Sequence, residues 1–278
     1  MLDEFLSARG RMLSMAYRML GSMHDAEDVV QDVYLRARRV RAAEIGNPPG
    51  WLTTTTARLC LDRLRARGRR EEIALQDEEI PDARLMPEEE LLRRDELSRA
   101  LLVVLSQLTP PQRVAFVLHD VFAVPFDDIG RVLGVSAAAA KKQASRARQR
   151  VRPEDPARAE DDIVHARLVQ GFLEAAKGGD IGRLIELMAP DVLRSADPGL
   201  LPPGASATVR GAQEVARETG AFLDRIRMSV PIGIDGVPGA VIAPAGRPRI
   251  VIGFEVDSGR ITRIVLRPYR GERLTPVD

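Results

Sequence analysis

Apolar residues recur at helical spacing from the start of the chain: Leu2, Phe5, Leu6, Met12, Leu13, Ala16, Tyr17 and Leu20, with Gly21 as a stop. A second helix is predicted from about Asp25, a carboxylate suited to capping free amides, with Val29, Val33, Tyr34 and Ala37 on its apolar side. Asn47-Pro48-Pro49-Gly50 breaks the run, and a third helix is predicted from about Trp51 to Arg67. The period is then lost in EEIALQDEEIPDARLMPEEE, which carries Pro81 and Pro87 and reads as a linker, with a new helix from near Glu88. Helical spacing resumes at Leu101, Leu102, Val104, Leu105 and Leu108. Thr109 as N-cap and Pro110 in the first turn predict a helix through His119.

Residues 125–152, PFDDIGRVLGVSAAAAKKQASRARQRVR, read as a short helix, a glycine turn and a second helix. Phe126, Ile129, Val132 and Leu133 form the apolar side of the first. Gly134 permits the turn, Val135 is placed to plug it, and Ser136 to cap the second. Past Pro153-Glu154-Asp155-Pro156 the texture changes. Amphipathic helices are predicted at about 162–177, 180–188 and 211–224, and an extended pattern follows Arg225. Ile250, Ile252, Phe254 and Val256 alternate, and Asp257-Ser258-Gly259-Arg260 predicts a tight hairpin. Helices followed by strands indicate an α+β domain.

Composition alters this picture in one respect. The 278 residues are ordinary in hydrophobic content (45%) and the net charge is only +1. That near-neutrality conceals segregation. Residues 1–70 carry 13 Arg against 8 acids, 71–98 carry 3 against 11, 99–152 carry 9 Lys and Arg against 3, and 153–278 carry 16 against 18. Two basic helical blocks flank an acidic connector. The N-terminus lacks the basic and long apolar regions of a secretory signal, and no stretch is long and apolar enough to span a membrane. A single cysteine, Cys60, excludes an internal disulfide and fits the cytoplasm. It lies between Leu59 and Leu61 and is expected as core filler.

From Ser136 to Arg152 there are six Lys and Arg and no acid: Lys141, Lys142, Arg146, Arg148, Arg150 and Arg152. Such a helix neutralises phosphates, while alanines at 137–140 keep it slim near its N-terminus, where base edges are read. The same charges on a solvated surface helix would be unremarkable; the turn grammar favours DNA binding.

In this order the segments resemble the extracytoplasmic-function (ECF) group of bacterial RNA polymerase sigma factors. DAEDVVQDVYLRA (25–37) looks like sigma region 2.2, WLTTTTARLCLDRLRARGRR (51–70) like regions 2.3 and 2.4, and 105–151 like region 4. The resemblance covers about residues 5–152. It implies that the region 2.2 segment docks on the β′ clamp coiled coil of core polymerase, with Asp25, Glu27, Asp28, Gln31 and Asp32 as contacts. It implies that Trp51, Arg58, Arg63, Arg65 and Arg67 help to open and read the −10 element. Ser136, Ala138, Lys141, Lys142, Ser145, Arg146 and Arg148 would read the −35 element. The polymerase β subunit and promoter DNA are further implied partners. Two readings stay open beside these. Trp51 heads a helix with Leu52 and Leu59 and suits a core position, and the Thr53–Thr56 run suits either phosphate bonding or a solvent face.

The tail resembles a SnoaL-like domain, a cone-shaped α+β fold. Residues 163–190 match its opening helices, GAQEVARETGAFL its middle helix and 226–270 its curved sheet. Two departures stand out. ADPGLLPPGAS (196–206) stands where relatives carry a Gly-rich loop, and RPYRGERL (267–274) where they end on an Asn-Pro-rich motif. Free-standing relatives use His/Asp pairs in the cone, whereas this segment has the lone His165, with Asp191 and Asp197 far along the chain.

The expectation is therefore a multidomain chain with two all-α sigma domains and a C-terminal α+β SnoaL-like domain. The parts are a region 2 bundle (1–70), an acidic linker (71–92), a region 4 helix-turn-helix (93–152), a short linker (153–162) and the tail (163–278). The expected function is promoter-directed transcription initiation without catalysis, metal or cofactor, regulated in cis by the tail, whose small ligand, if any, is unidentified. A rival is a one-component regulator with a ligand-sensing tail, which would have no need of the 25–37 segment. A cyclase-like enzyme with a DNA-binding attachment is the third class.

Overall fold

The computed structural model describes residues 1–40, 45–71, 96–152, 160–202 and 204–277. The expected acidic linker from residue 72 onward and most of the 153–162 linker lie outside the described residues. The chain divides into two compact units, Met1–Glu79 with Leu105–Val151, and Ile80–Val104 with Arg152–Asp278.

In the first unit, helix α1 spans Leu2–Leu20 and stops where expected. Gly21 takes a left-handed conformation (φ 75°) and its N–H bonds Tyr17 O at 2.7 Å. Helix α2, Met23–Ala37, starts two residues before the expected Asp25. Its cap is Ser22, whose hydroxyl accepts the Asp25 N–H at 3.3 Å, so the Asp25 carboxylate is released for another role. Helix α3, Pro48–Glu71, likewise starts inside the Pro-Pro segment, because proline in a first turn has no amide to waste. Asn47 Oδ1 accepts the Gly50 N–H at 3.0 Å. These three helices enclose Met12, Met15, Met19, Val29, Val33, Leu52, Cys60 and Leu61, all buried. Thr55 and Thr56 are also buried, and Thr53 and Thr56 bond back to the Pro49 and Leu52 carbonyls. Most of the threonine run is thereby spent inside the helix, not on phosphates.

Helix α4 (Glu96–Ser106) precedes helix α5 (Pro110–Phe116), whose start is the expected one. Gln112 Oε1 accepts the Thr109 N–H at 3.2 Å. The expected helix through His119 does not continue as α. At Val117 the ladder widens into a π-turn over Val117–Val121, and Ala123 (φ 54°) ends it. The wider turn lets the His119 ring stack on Phe126 with centroids 3.9 Å apart, its Nδ1 3.1 Å from Val124 O. Helix α6 (Phe126–Leu133) and helix α7 (Ala137–Val151) follow.

The second unit holds helices α8 (Glu160–Gly178), α9 (Ile181–Leu187), α10 (Ala212–Ala221) and α11 (Leu223–Arg227) on a mixed sheet. The predicted 211–224 helix is two helices, separated at Phe222 (φ −112°). The strands are β1 (Met188–Ala196), β2 (Thr208–Arg210), β3 (Ser229–Ile234), β4 (Val237–Ile242), β5 (Ile250–Asp257), β6 (Arg260–Pro268) and β7 (Leu274–Thr275). Their order is β2-β1-β6-β5-β4-β3-β7, antiparallel throughout except for the parallel β1–β6 pair. The β5–β6 hairpin closes as predicted, with Ser258 (φ 49°) and Gly259 (φ 73°) both left-handed at the turn. Strands β1 and β2 depart from the expectation, which places extended structure only after Arg225. The core lies between helices and sheet, with Phe172 packed edge-on against Phe254 at 5.4 Å. The first turns of α4 belong to this unit. Arg99 donates to Arg227 O at 2.9 Å, and a Cβ added at Gly246 (φ 73°) would lie 3.0 Å from Leu102 Cβ.

Candidate nucleic-acid interface

The turn between α6 and α7 is built by backbone. Gly134 (φ 71°) ends α6, and the Val135 N–H reaches Gly130 O at 3.0 Å. Val135 does not plug the turn, because its side chain is 44% exposed. The close approach depends instead on Gly130, where a Cβ would stand 2.7 Å from Val135 O. Ser136 caps α7 as expected, its hydroxyl accepting the Ala139 N–H at 3.2 Å. Ala140, Ala144 and Ala147 are fully buried, so one face of α7 lies flush on its neighbours. Ser136 at the cap, and Ala138, Lys141, Lys142, Ser145, Arg146 and Arg148 along the helix, are exposed. Every residue expected to read the −35 element is thus at the surface, at the cap or along α7. Among the basic ones Arg148 is already engaged, its Nε 2.6 Å from Asp120 Oδ1.

The two residue sets expected for polymerase and for the −10 element meet each other. Asp25, Asp28 and Asp32 lie on one side of α2, at the three- and four-residue spacings that align side chains on a helix. Arg63, from α3, donates to Asp28 Oδ2 at 3.3 Å, Asp32 Oδ2 at 3.2 Å and the Asp25 carbonyl at 3.2 Å. Arg67 bonds the Asp25 carboxylate and donates to Leu20 O at 2.8 Å. Burial alone would raise the Asp25 carboxyl, but the Ser22 hydrogen bond and the Arg67 and Arg63 guanidiniums hold it below the usual carboxylate range. Glu27, Gln31, Arg58 and Arg65 are exposed, while Trp51 is half-buried.

The same unit also joins these helices to the helix-turn-helix, through arginines that sequence reasoning did not single out for this role. Arg58 Nη2 donates to Arg131 O at 2.9 Å and Arg113 Nη1 to Met19 O at 3.0 Å. Arg11 Nη2 donates to Phe122 O at 3.0 Å, with its guanidinium 5.6 Å from the Phe122 ring centre. No local signal marks them, because each acts on a carbonyl far along the chain.

His165 is half-buried, and burial pushes its ring down in pKa against the opposing Asp162 charge and the Phe254 backbone. Among the described residues no His/Cys/Asp/Glu group is arranged to hold a metal, and no helix is long and apolar enough to cross a membrane.

A helical bundle with a basic helix-turn-helix is the build of a sigma factor's DNA-binding regions. Comparison with known families matches Sigma-70 region 2 over residues 5–70 and Sigma-70, region 4, over residues 98–151. The chain belongs to the extracytoplasmic-function group of the sigma-70 family and serves transcription initiation, with core RNA polymerase and promoter DNA as its partners. Among its relatives is the ECF RNA polymerase sigma factor SigJ of Mycobacterium tuberculosis, 36% identical over 96% of this chain and 88% of that protein. The probable ECF RNA polymerase sigma factor SigI of the same organism is 30% identical over 95% and 94%. The crystal structure of M. tuberculosis SigJ aligns with a TM-score of 0.45 at 31% identity, covering 96% of this chain and 95% of that one. The one-component regulator is not favoured by these matches, and sigma factors are not enzymes.

Proposed function

We propose that the chain grips a promoter at two points and is governed in cis by its C-terminal domain. The −35 element is read by the exposed face of α7, with Ser136 and Ala138 near base edges and Lys141, Lys142, Ser145, Arg146 and Arg148 along the backbone. The observation that carries this reading is the division of α7 into a flush, fully buried alanine face and an exposed basic face. The −10 element is met by α3. There Trp51, Arg58 and Arg65 supply stacking and charge, and Arg63 and Arg67 act by holding α3 to α2. The β′ clamp coiled coil takes the α2 face of Asp25, Glu27, Asp28, Gln31 and Asp32, with β as a further contact. The exposed Glu27 and Gln31 lead, because the three aspartates are already shared with arginines.

The proposed parts are region 2 (1–70), the acidic linker (71–92), region 4 (93–152), a short linker (153–162) and the tail (163–278), acting in the cytoplasm where polymerase is found. The tail performs no catalysis. Regulation in cis is supported by α4, whose early turns pack within the C-terminal unit.

Reversing charge at Lys141, Lys142 and Arg146 tests the assignment. Promoter-specific transcription from the reconstituted holoenzyme is expected to be lost while core binding persists. Transcription that survives places the recognition surface elsewhere.

A further inference from the structure

The C-terminal domain holds a cavity, partly open to solvent, of about 90 Å³ counted for the centres of water-sized molecules. One water needs about 10–15 Å³ on that count, so the space admits the body of a small organic molecule. Its walls are almost wholly apolar, with Phe172, Val215, Phe222, Ile250, Ile264 and Leu266 among them. An apolar space of this size left unfilled costs stability, and a few well-placed polar groups in such a lining are the mark of a ligand site.

Among the described residues three charged ones line the cavity: Arg194, Glu218 and Arg225. Arg194, on β1, is closed on itself. Its guanidinium grips Glu218 at two points, with Nε 3.0 Å from Oε2, and donates to Ser206 O at 3.0 Å and Ala207 O at 3.2 Å. That pair is neutral as a unit and nearly exhausted as a donor. Arg225, half-buried on α11, differs. Among the described residues its hydrogen bond is to Leu200 O at 2.5 Å, and no carboxylate is paired with it. The charged lining therefore sums to one positive charge, and the spare donors belong to Arg225.

We propose that this cavity binds a small apolar monocarboxylate, its hydrocarbon body filling the apolar space and its carboxylate accepting hydrogen bonds from Arg225. An amine would meet an uncompensated cation. A neutral apolar molecule would leave the guanidinium donors unused, and a dianion would face Glu218. A single carboxylate matches the arginine fork in charge and shape. The site rests on the C-terminal domain alone and is independent of how the promoter surfaces are assigned.

Calorimetric titration of the full chain with carboxylates from hexanoate to dodecanoate, and with the matching alcohols and amines, tests this. At least one carboxylate is expected to bind, its alcohol about tenfold or more weaker, as the loss of a charge-assisted bond implies, and its amine not measurably. Arg225→Gln is expected to bring the carboxylate down to the alcohol's affinity. Ala196→Phe, which fills the cavity, is expected to abolish binding of both with the circular dichroism spectrum intact. Leu266→Trp serves the same purpose if that variant misfolds. The proposal is overturned if the folded chain binds none of the carboxylates, if acid and alcohol bind alike, or if binding survives Arg225→Gln or the filled cavity.

Discussion

At the scale of single residues, Asp25 shows how a side chain's role depends on what its neighbours take over. Ser22 performs the capping that the Asp25 position invites, so the carboxylate turns to Arg67 and Arg63. Its pKa in the folded chain is depressed, so the unfolded chain binds more protons in acid. The stability it contributes is full above its ordinary value of about 3.9 and is lost as pH falls through the lower folded value. Asp25→Asn is expected to lower stability by on the order of 1 kcal/mol at neutral pH, the scale of a hydrogen bond to a charged group, and to flatten the acid limb. Melting temperatures of both proteins from neutral pH down to acid check this, and parallel curves would contradict it.

At the scale of elements, the helix-turn-helix depends on Gly130 more than on any charge. A Cβ there would meet Val135 O at 2.7 Å, and backbone on the opposite side has no rotamer with which to give way. Gly130→Ala is expected to cost about 1–3 kcal/mol, the usual range for overpacking, and to weaken binding to promoter DNA even though no basic residue is touched. A variant with unchanged melting and unchanged binding would refute the dependence. The helices of both units were legible because a 3.6-residue period survives any tertiary context that leaves one face buried. So was the exposed face of α7, where the charge run and buried alanines are local. Strand β1 was not, since MAPDVLRSA carries Pro190 and Asp191 and draws its order from a parallel pairing with β6 far along the chain. The π-turn at Val117–Val121 was hidden for a similar reason, because the stacking of His119 on Phe126 that goes with it joins two different elements. The Arg63 cluster and the cavity escaped notice because they join residues tens of positions apart that carry no motif.

At the scale of the whole molecule, region 2 and the part of region 4 from Leu105 onward share one compact unit, tied by Arg58, Arg113 and Arg11 to carbonyls across it. By their names the −10 and −35 elements lie about 25 base pairs apart, or roughly 85 Å at about 3.4 Å per pair. A unit of this size has a radius of gyration of about 14 Å, so the proposed −10 and −35 surfaces are expected to engage one promoter together only once these arginine bonds part. Dyes on cysteines introduced by Asp62→Cys and Gln149→Cys, both at exposed positions, are expected to lose energy transfer when core polymerase and promoter DNA are added. Unaltered transfer would show that the unit stays closed. The native Cys60 does not compete for label, being fully buried with its thiol pushed up to about 12. That same burial reaches further than a labelling scheme. Burial disfavours the thiolate that sulfenate formation and disulfide exchange require, and the sequence holds no second cysteine to resolve a sulfenate. An oxidative stimulus is therefore not expected to act through this thiol.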